Sequence, residues 1–288
     1  MGKLLSGRVK LARSGQIVDA HTEASKNLLI CVAQPLEDCT VHVPNTTAPG
    51  QLPLVTKACR IKALTPLSAT ISRALLELPA GRPVTWHPGQ YLLLVIQGEE
   101  YAYSIANAPR GRHIELHIRH DSGNTNAQKI IEYLAKESVV TVKLPLGERH
   151  LQRFNNERPL WLICGSTGFA QAKAIIEDVL EKDPQRPLHL FWGAHDAEGL
   201  YLHPLAAEWA AQGKLSYTPV LSHEQREGFA QGLVHEAVLA APAPAQSPLC
   251  LVAGSPEMAW HVFDALVAAG FDPEHIHSDV FDYAPRDN

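Results

Sequence analysis

Three short apolar runs in the second half of the chain, each followed by an amphipathic stretch, constrain the fold more than any other feature. Leu160 to Cys164 precedes 169–182, Leu188 to Trp192 precedes 197–212, and Leu249 to Ala253 precedes 257–269. Strands covered on both faces read as unbroken apolar runs, and their alternation with helices predicts a parallel sheet. After Gly168, residues Phe169, Ala172, Ile175, Ile176, Val179 and Leu180 share one helical face, while Lys173, Glu177 and Lys182 fall largely elsewhere. The apolar face is expected to meet the sheet.

Upstream the texture is different. Short β-type segments punctuated by turns occupy 58–64, 69–78, Gln90 to Ile96, Tyr101 to Ala106, His113 to Arg119 and Val139 to Leu144, which suggests a six-stranded antiparallel barrel. One helical interval, Thr125 to Ala135, interrupts them, with Ile130, Ile131 and Leu134 on one face and Ser122-Gly123-Asn124 as turn and cap. Before the barrel, Pro44 to Gly50 is a run of turn formers without apolar periodicity and reads as a linker. The boundaries are therefore placed at 1–52, 53–155 and 156–288, a small N-terminal stretch, a barrel and an α/β domain.

At 288 residues the chain is long enough for two ordinary cores. A formal charge of -5 and the lack of a Lys/Arg run remove the drive toward a nucleic acid partner. Met1 to Leu11 carry one Leu pair, far short of a signal-peptide core or a membrane span, so the chain reads as cytoplasmic with no membrane partner. Five cysteines without a C-x-x-C predict neither a disulfide framework nor a zinc site. His113, Glu115 and His117, at i, i+2 and i+4 of a strand, share a face. That face is either a zinc-ligand set or a solvated outer surface.

The most informative segment is Leu162-Ile163-Cys164-Gly165-Ser166-Thr167-Gly168-Phe169, a buried strand running through two glycines into a helix. Such a turn aims free N–H groups and the positive helix end at one point, which suits a pyrophosphate. A strict G-x-G-x-x-G and the Lys of a P-loop are both missing. Cys164 stands where a G-x-S-x-G nucleophile elbow needs its first glycine, which argues against Ser166 as a nucleophile.

Together with this turn, several segments in the same order resemble the ferredoxin–NADP reductase superfamily, and most closely its NAD(P)H-dependent flavin reductases. The resemblance covers 58 to about 283. Pro88-Gly89-Gln90-Tyr91 resembles the family's P-G-Q-Y segment, and Tyr103-Ser104-Ile105-Ala106 the end of its R-x-Y-S flavin motif. Ile114 to Arg119 is similar to the following strand. Gly165-Ser166-Thr167-Gly168 resembles the nicotinamide-nucleotide turn, Phe191-Trp192-Gly193 the second strand end, and Ala253 to Met258 the turn beside the nicotinamide. Ser278-Asp279-Val280-Phe281 resembles the closing segment.

The resemblance implies a flavin-binding barrel followed by a nucleotide-binding domain, and hydride transfer from NADH or NADPH to FAD or FMN. Such transfer asks for two parallel rings about 3–3.5 Å apart, so positioning is most of the protein's task. By the resemblance, Tyr103 and Ser104 are the catalytic pair, Tyr103 against the isoalloxazine and the Ser104 hydroxyl near N5. Flavin contacts are then expected from Tyr101, Ile105, His117, Ile118, Gly123, Asn124 and Thr125, and cofactor contacts from Asp279 and Phe281 of the closing segment. Nucleotide contacts are expected from Gly165, Ser166, Thr167, Gly168, Trp192, Gly193, His195, Gly254, Ser255, Pro256 and Met258. No residue is assigned to a metal.

The chain departs from the family pattern in places. Tyr101 stands where the flavin motif has an Arg for the flavin phosphate, with Glu99 and Glu100 beside it, so a loosely held, exchangeable flavin is expected. His195 replaces an Arg common in relatives, leaving Arg226 as the other cation for a 2′-phosphate. Leu4 to Val9 and Leu28 to Cys31 resemble the tail of a plant-type [2Fe–2S] ferredoxin domain, with Cys31 at the fourth ligand. The other three ligands would precede Lys3, so a truncated ferredoxin-like remnant without an iron–sulfur cluster is expected, an unrelated strand pair being the alternative. Two rival functions stay open: an FAD-bound reductase serving a separate iron–sulfur or oxygenase partner, and an inactive nucleotide-binding scaffold.

Overall fold

In the computed structural model, residues 2–43, 51–154, 157–242 and 244–286 are described, and the linker-like run Pro44 to Gly50 lies outside them. Contacts divide the chain into two units, Met1–Pro53 and Leu54–Asn288. The first holds five short strands: β1 (Lys3–Ser6), β2 (Arg8–Leu11), β3 (Ile17–Asp19), β4 (Ala33–Pro35) and β5 (Thr40–His42). β1 pairs with β5, and β2 lies between β3 and β4, all antiparallel. Leu4, Val9, Val18 and Leu28 form its small core, and Cys31 is exposed with a free thiol.

The second unit opens with β6 (Val55–Pro66), β7 (Ile71–Glu77), β8 (Tyr91–Ile96), β9 (Glu99–Ser104) and β10 (His113–Arg119), then α1 (Thr125–Lys136) and β11 (Val139–Leu146). These are the six strands and the helix expected from the turn signals, with ends moved by a few residues. They form one antiparallel sheet in the order β10-β7-β6-β11-β8-β9. Just past β9, the Ala106 N–H donates to the Glu115 carbonyl of β10 at 2.8 Å, which draws the sheet edges together as a half-barrel. Alternate residues fill its inside: Leu92 and Leu94 of β8, Ile114, Leu116 and Ile118 of β10, and Val140 and Val142 of β11, with Ala127, Ile130 and Leu134 of α1 packed on them. Asn124 caps α1, its side chain accepting from the Ala127 N–H at 3.0 Å.

The remainder contains α2 (Leu151–Phe154), β12 (Leu160–Gly165), α3 (Phe169–Lys182), β13 (Leu188–Ala194), α4 (His203–Ala211), β14 (Ser216–Leu221) and β15 (Ala230–Gln231). It ends with α5 (Val234–Ala240), β16 (Leu249–Ala253), α6 (Pro256–Ala268), β17 (Ile276–His277) and α7 (Val280–Tyr283). The strands form a parallel sheet in the order β15-β14-β13-β12-β16-β17. Residues of α3 and α4 pack on one face of it, and residues of α5 and α6 on the other. From β12 the chain winds outward through β13 and β14, then returns to β16 on the opposite side. The crevice between β12 and β16 is thus a topological switch point, where open α/β sheets bind ligands.

Helix α3 corrects one expectation. Its apolar face meets the sheet as its periodicity requires, yet Gln171, Lys173 and Asp178 on other faces are also buried. The half-barrel covers the side that amphipathicity alone assigns to water.

Candidate functional site

The turn after β12 and the turn after β16 pack backbone against backbone. A Cβ on Gly168 would run into the carbonyl of Ala253, and one on Gly165 into the Met258 sulfur. On Gly254 a Cβ would stand 2.7 Å from the same sulfur. Gly168 is therefore required by its close approach to backbone, while a side chain at Gly165 or Gly254 would displace the flexible Met258. Ser166 takes a left-handed conformation, φ +48°, and its carbonyl accepts from the Trp192 indole N–H at 3.0 Å. Trp192 in turn stacks on Phe169, centroids 3.8 Å apart and planes 8° apart, which anchors the first residue of α3 beneath the turn. Ser255 caps α6, its hydroxyl accepting from the Met258 N–H at 3.2 Å, with Pro256 in the first turn.

Above these turns lies a cleft of about 600 Å³, lined by Gly165, Ser166, Gly193, His195, Ser255 and Met258 among the expected residues. Thr70, Ile71, Arg119, Ser222, His235 and His261 also line it. None of these six is expected from the sequence: Arg119 ends a strand segment that resembles the family but is given no ligand role there, and the other five reach the cleft from segments that carry no motif. His195 at the end of β13 meets His223 beyond β14, Nδ1 to Nδ1 at 3.0 Å, and Ser222 Oγ lies 2.8 Å from His223 Nδ1. Arg226 turns aside, its guanidinium 5.3 Å from the Phe229 ring centre.

Arg119 and Ile71 belong to the half-barrel, so one wall of the cleft is built by the other sheet. Arg119 Nη1 donates to Ser166 Oγ at 3.3 Å while its Nε donates to Asp121 at 2.7 Å. Next to β10, β9 carries Tyr101, Tyr103 and Ser104. Both tyrosine rings pack against the barrel core. Burial pushes the Tyr103 hydroxyl up to about 12. Among the described residues, neither the Tyr103 hydroxyl nor the half-buried Ser104 hydroxyl has a hydrogen-bond partner in the protein. The Tyr101 hydroxyl donates to Glu99 at 2.7 Å and Lys143 pairs with Glu100, so the two acidic residues of this edge are engaged.

Across from Ser104 in the sheet is Tyr91, and beside Tyr91 lies Asp279. Gln171 of α3 joins the lobes there, donating to the Gly89 carbonyl at 2.6 Å and to Asp279 Oδ2 at 2.8 Å. Burial lifts the Asp279 carboxyl to about 6, against the pull of Gln171 and Arg149. Phe281 packs away from this point, 4.4 Å from the Trp260 ring centre.

Several expected contacts are placed where their side chains face protein. Ile105 and Ile118 belong to the barrel core and Trp192 lies under the turn, all at 0% exposure. Thr167 sits in the short turn Ser166–Gly168 without lining the cleft, and Gly123, Asn124 and Thr125 lie exposed at the start of α1. His113 alone of its trio is exposed. His117 is buried, its Nε2 bonded to Glu115 and its Nδ1 to Tyr201, both at 2.8 Å. Both readings of that strand face therefore give way to a protein interface. Burial lowers the His117 pKa more than Glu115 can restore it. Burial also works to raise Glu115, but the His117 hydrogen bond and the Lys173 charge outweigh it and hold the carboxyl low.

Residues 162–263 match the oxidoreductase NAD-binding domain family. The NAD(P)H-flavin reductase of Aliivibrio fischeri is 32% identical over 194 residues, covering 63% of this chain and 79% of that protein. Reductase component 2 of the terephthalate 1,2-dioxygenase of a Comamonas species is 28% identical, covering 98% of this chain and 84% of its own length. Among solved structures, a cytochrome P450 reductase from Amycolatopsis superposes with a TM-score of 0.73 at 26% identity, covering 96% of this chain and 85% of that one. A half-barrel joined to a parallel sheet, glycine turns at its switch point and these likenesses lead to one assignment: the chain belongs to the ferredoxin–NADP reductase superfamily and is an NAD(P)H-dependent oxidoreductase of that family.

Proposed function

We propose that this chain passes a hydride from NADH or NADPH to FAD or FMN, the flavin being held loosely enough to exchange. In this reading residues 53–155 hold the flavin and 156–288 the nucleotide. Gly165 to Gly168 and the start of α3 take the pyrophosphate. Gly254, Ser255, Pro256 and Met258 border the nicotinamide, and Gly193 and His195 the adenosine end. Tyr103 flanks the flavin ring, Ser104 offers its hydroxyl to the ring edge, and Asp279 lies on the far side of Tyr91. Ile105, His117 and Ile118 contribute backbone rather than side chain. When bound, a flavin would supply a ring able to take up a hydride from the nicotinamide, and Tyr103 and Ser104 would hold its face and edge.

The observation that carries this reading is the 3.3 Å contact of Arg119 with Ser166, which puts the strand next to β9 on the wall of the nucleotide cleft. The unpartnered Tyr103 and Ser104 hydroxyls fit a ring with polar edges. Exchange follows from Tyr101, because no cation stands where the family pattern anchors the flavin phosphate.

A second reading, an FAD-bound reductase feeding a separate redox protein, is favoured by one observation. The dioxygenase reductase aligns over 98% of this chain, the N-terminal unit included. Oxidation of NADH and NADPH, followed at 340 nm with added riboflavin, FMN or FAD, tests both. Turnover that rises with added flavin supports the first. A yellow protein retaining stoichiometric FAD and reducing an artificial one-electron acceptor supports the second. No oxidation with any flavin would eliminate the two together.

A further inference from the structure

Helix α3 begins at the glycine turn after β12, and one turn of helix further on Lys173 enters the interface between the sheets. Its ammonium lies 3.1 Å from the Ala106 carbonyl, 3.4 Å from Glu115 and 2.8 Å from Glu177. Glu115 then accepts from His117 Nε2 at 2.8 Å, which leaves Nδ1 of the neutral ring to accept from the Tyr201 hydroxyl at 2.8 Å. His117, Lys173 and Tyr201 are 3%, 7% and 8% exposed. Every donor in the chain Tyr201 to His117 to Glu115 has one acceptor, so its direction is fixed. A buried network of this kind is rigid when fully satisfied.

Each end of the network stands close to a group to which the proposed function gives a ligand. Ala106 is two residues beyond Ser104, and Glu115 and His117 share the face of β10 that ends in Arg119. Lys173 lies on the helix that the glycine turn starts. Tyr201 meets Trp192 edge-on at 5.3 Å, and Trp192 holds the Ser166 carbonyl. The charges facing Glu115 and His117 are those of Lys173 from α3 and Arg73 from β7.

We propose that Lys173, Glu115, His117 and Tyr201 form a buried clasp that sets the gap between the flavin edge and the nucleotide turn, making them positioning residues for hydride transfer. The inference rests on the function proposed above. A clasp of this kind leaves each ligand's own contacts untouched and acts on the distance between them, to which a transfer over about 3–3.5 Å is steeply sensitive. Its loss should therefore appear in the transfer step and not in either binding constant.

The test compares Lys173→Met and Tyr201→Phe with wild type in single-turnover reduction of flavin, using nicotinamide nucleotide with hydrogen or deuterium at C4. Tyr201→Phe removes a single oxygen and reads the clasp even where Lys173→Met loosens the fold. The expected result is a transfer rate lower by about tenfold to a hundredfold, a larger deuterium isotope effect, and flavin and nucleotide dissociation constants within about twofold of wild type. Lys173→Arg, which keeps the cation, should recover part of the rate. Transfer within about twofold of wild type in both folded variants overturns the clasp, as does a rate loss matched by equal loss of binding. A wild-type protein that oxidises neither nucleotide with any flavin removes the functional reading and the clasp with it. Wild-type turnover with unaffected variants removes the clasp alone.

Discussion

Gly168 is pressed against the backbone of Ala253, whereas Tyr103 and Ser104 of β9 hold their hydroxyls free of any protein partner among the described residues. The edge proposed for the nucleotide is thus specified by backbone contact, in which a single added carbon is felt. The edge proposed for the flavin is specified by a few side-chain atoms on an ordinary strand, where a substitution can be absorbed. An edge of the first kind is rigid and intolerant. One of the second kind can lose an anchor such as the missing Arg at Tyr101 and keep its fold.

The comparison is broken most severely by Gly168→Ala. Its methyl group meets a carbonyl that belongs to the neighbouring turn, and overpacking of that kind costs about 3 kcal/mol, or roughly 6–12 °C in Tm. Thermal melting and nucleotide titration together check it. A melting point and nucleotide affinity equal to wild type would mean that the two turns are not mutually locked. On the flavin edge, Ser104→Ala should leave Tm within about 2 °C and flavin affinity within about twofold, while hydride transfer slows about tenfold. Rapid-mixing absorbance measures it, and an unchanged rate takes Ser104 off the catalytic pair. The smallest effect is expected from Tyr101→Arg, which returns a cation to the flavin edge. FMN and FAD should bind about threefold tighter at low salt, with riboflavin unchanged. Equal gains for riboflavin would show that the phosphate is not what the new side chain meets.

Much of the architecture was legible because two periods alternate cleanly. Residues 169–182 coincide with α3, and the six β segments upstream coincide with β6 to β11 within a few residues. The strand β14 was not read, since Ser216-Tyr217-Thr218-Pro219 lacks an apolar run and Pro219 argues against a buried strand. The structure resolves the conflict: β15 pairs with β14 only from Val220 onward, so Pro219 faces no ladder on that side. Helix α5, seven residues long, gave too few turns for a periodic signal.

In the site, the three glycine turns were legible because backbone proximity leaves a mark on the sequence. Ser222, His235 and His261 carry none, since each is an ordinary polar residue brought to the cleft by tertiary packing, and Arg119 ends a recognisable strand without any sign that its side chain reaches the cleft. The sequence leaves His117 between ligand and solvent, and Lys173 off the sheet-facing side, for a related reason. A helical or strand period reports one covering layer, and these residues lie where a second layer from the other sheet covers them.

Because α3 has one side against the parallel sheet and another against the half-barrel, it acts as a party wall. A cut near residue 155 would leave Lys173 and Gln171 without the carbonyls of Ala106 and Gly89, and Glu115 without its cation. The two sheets therefore share one compact unit, the stretch from Leu54 onward, with α3 common to both.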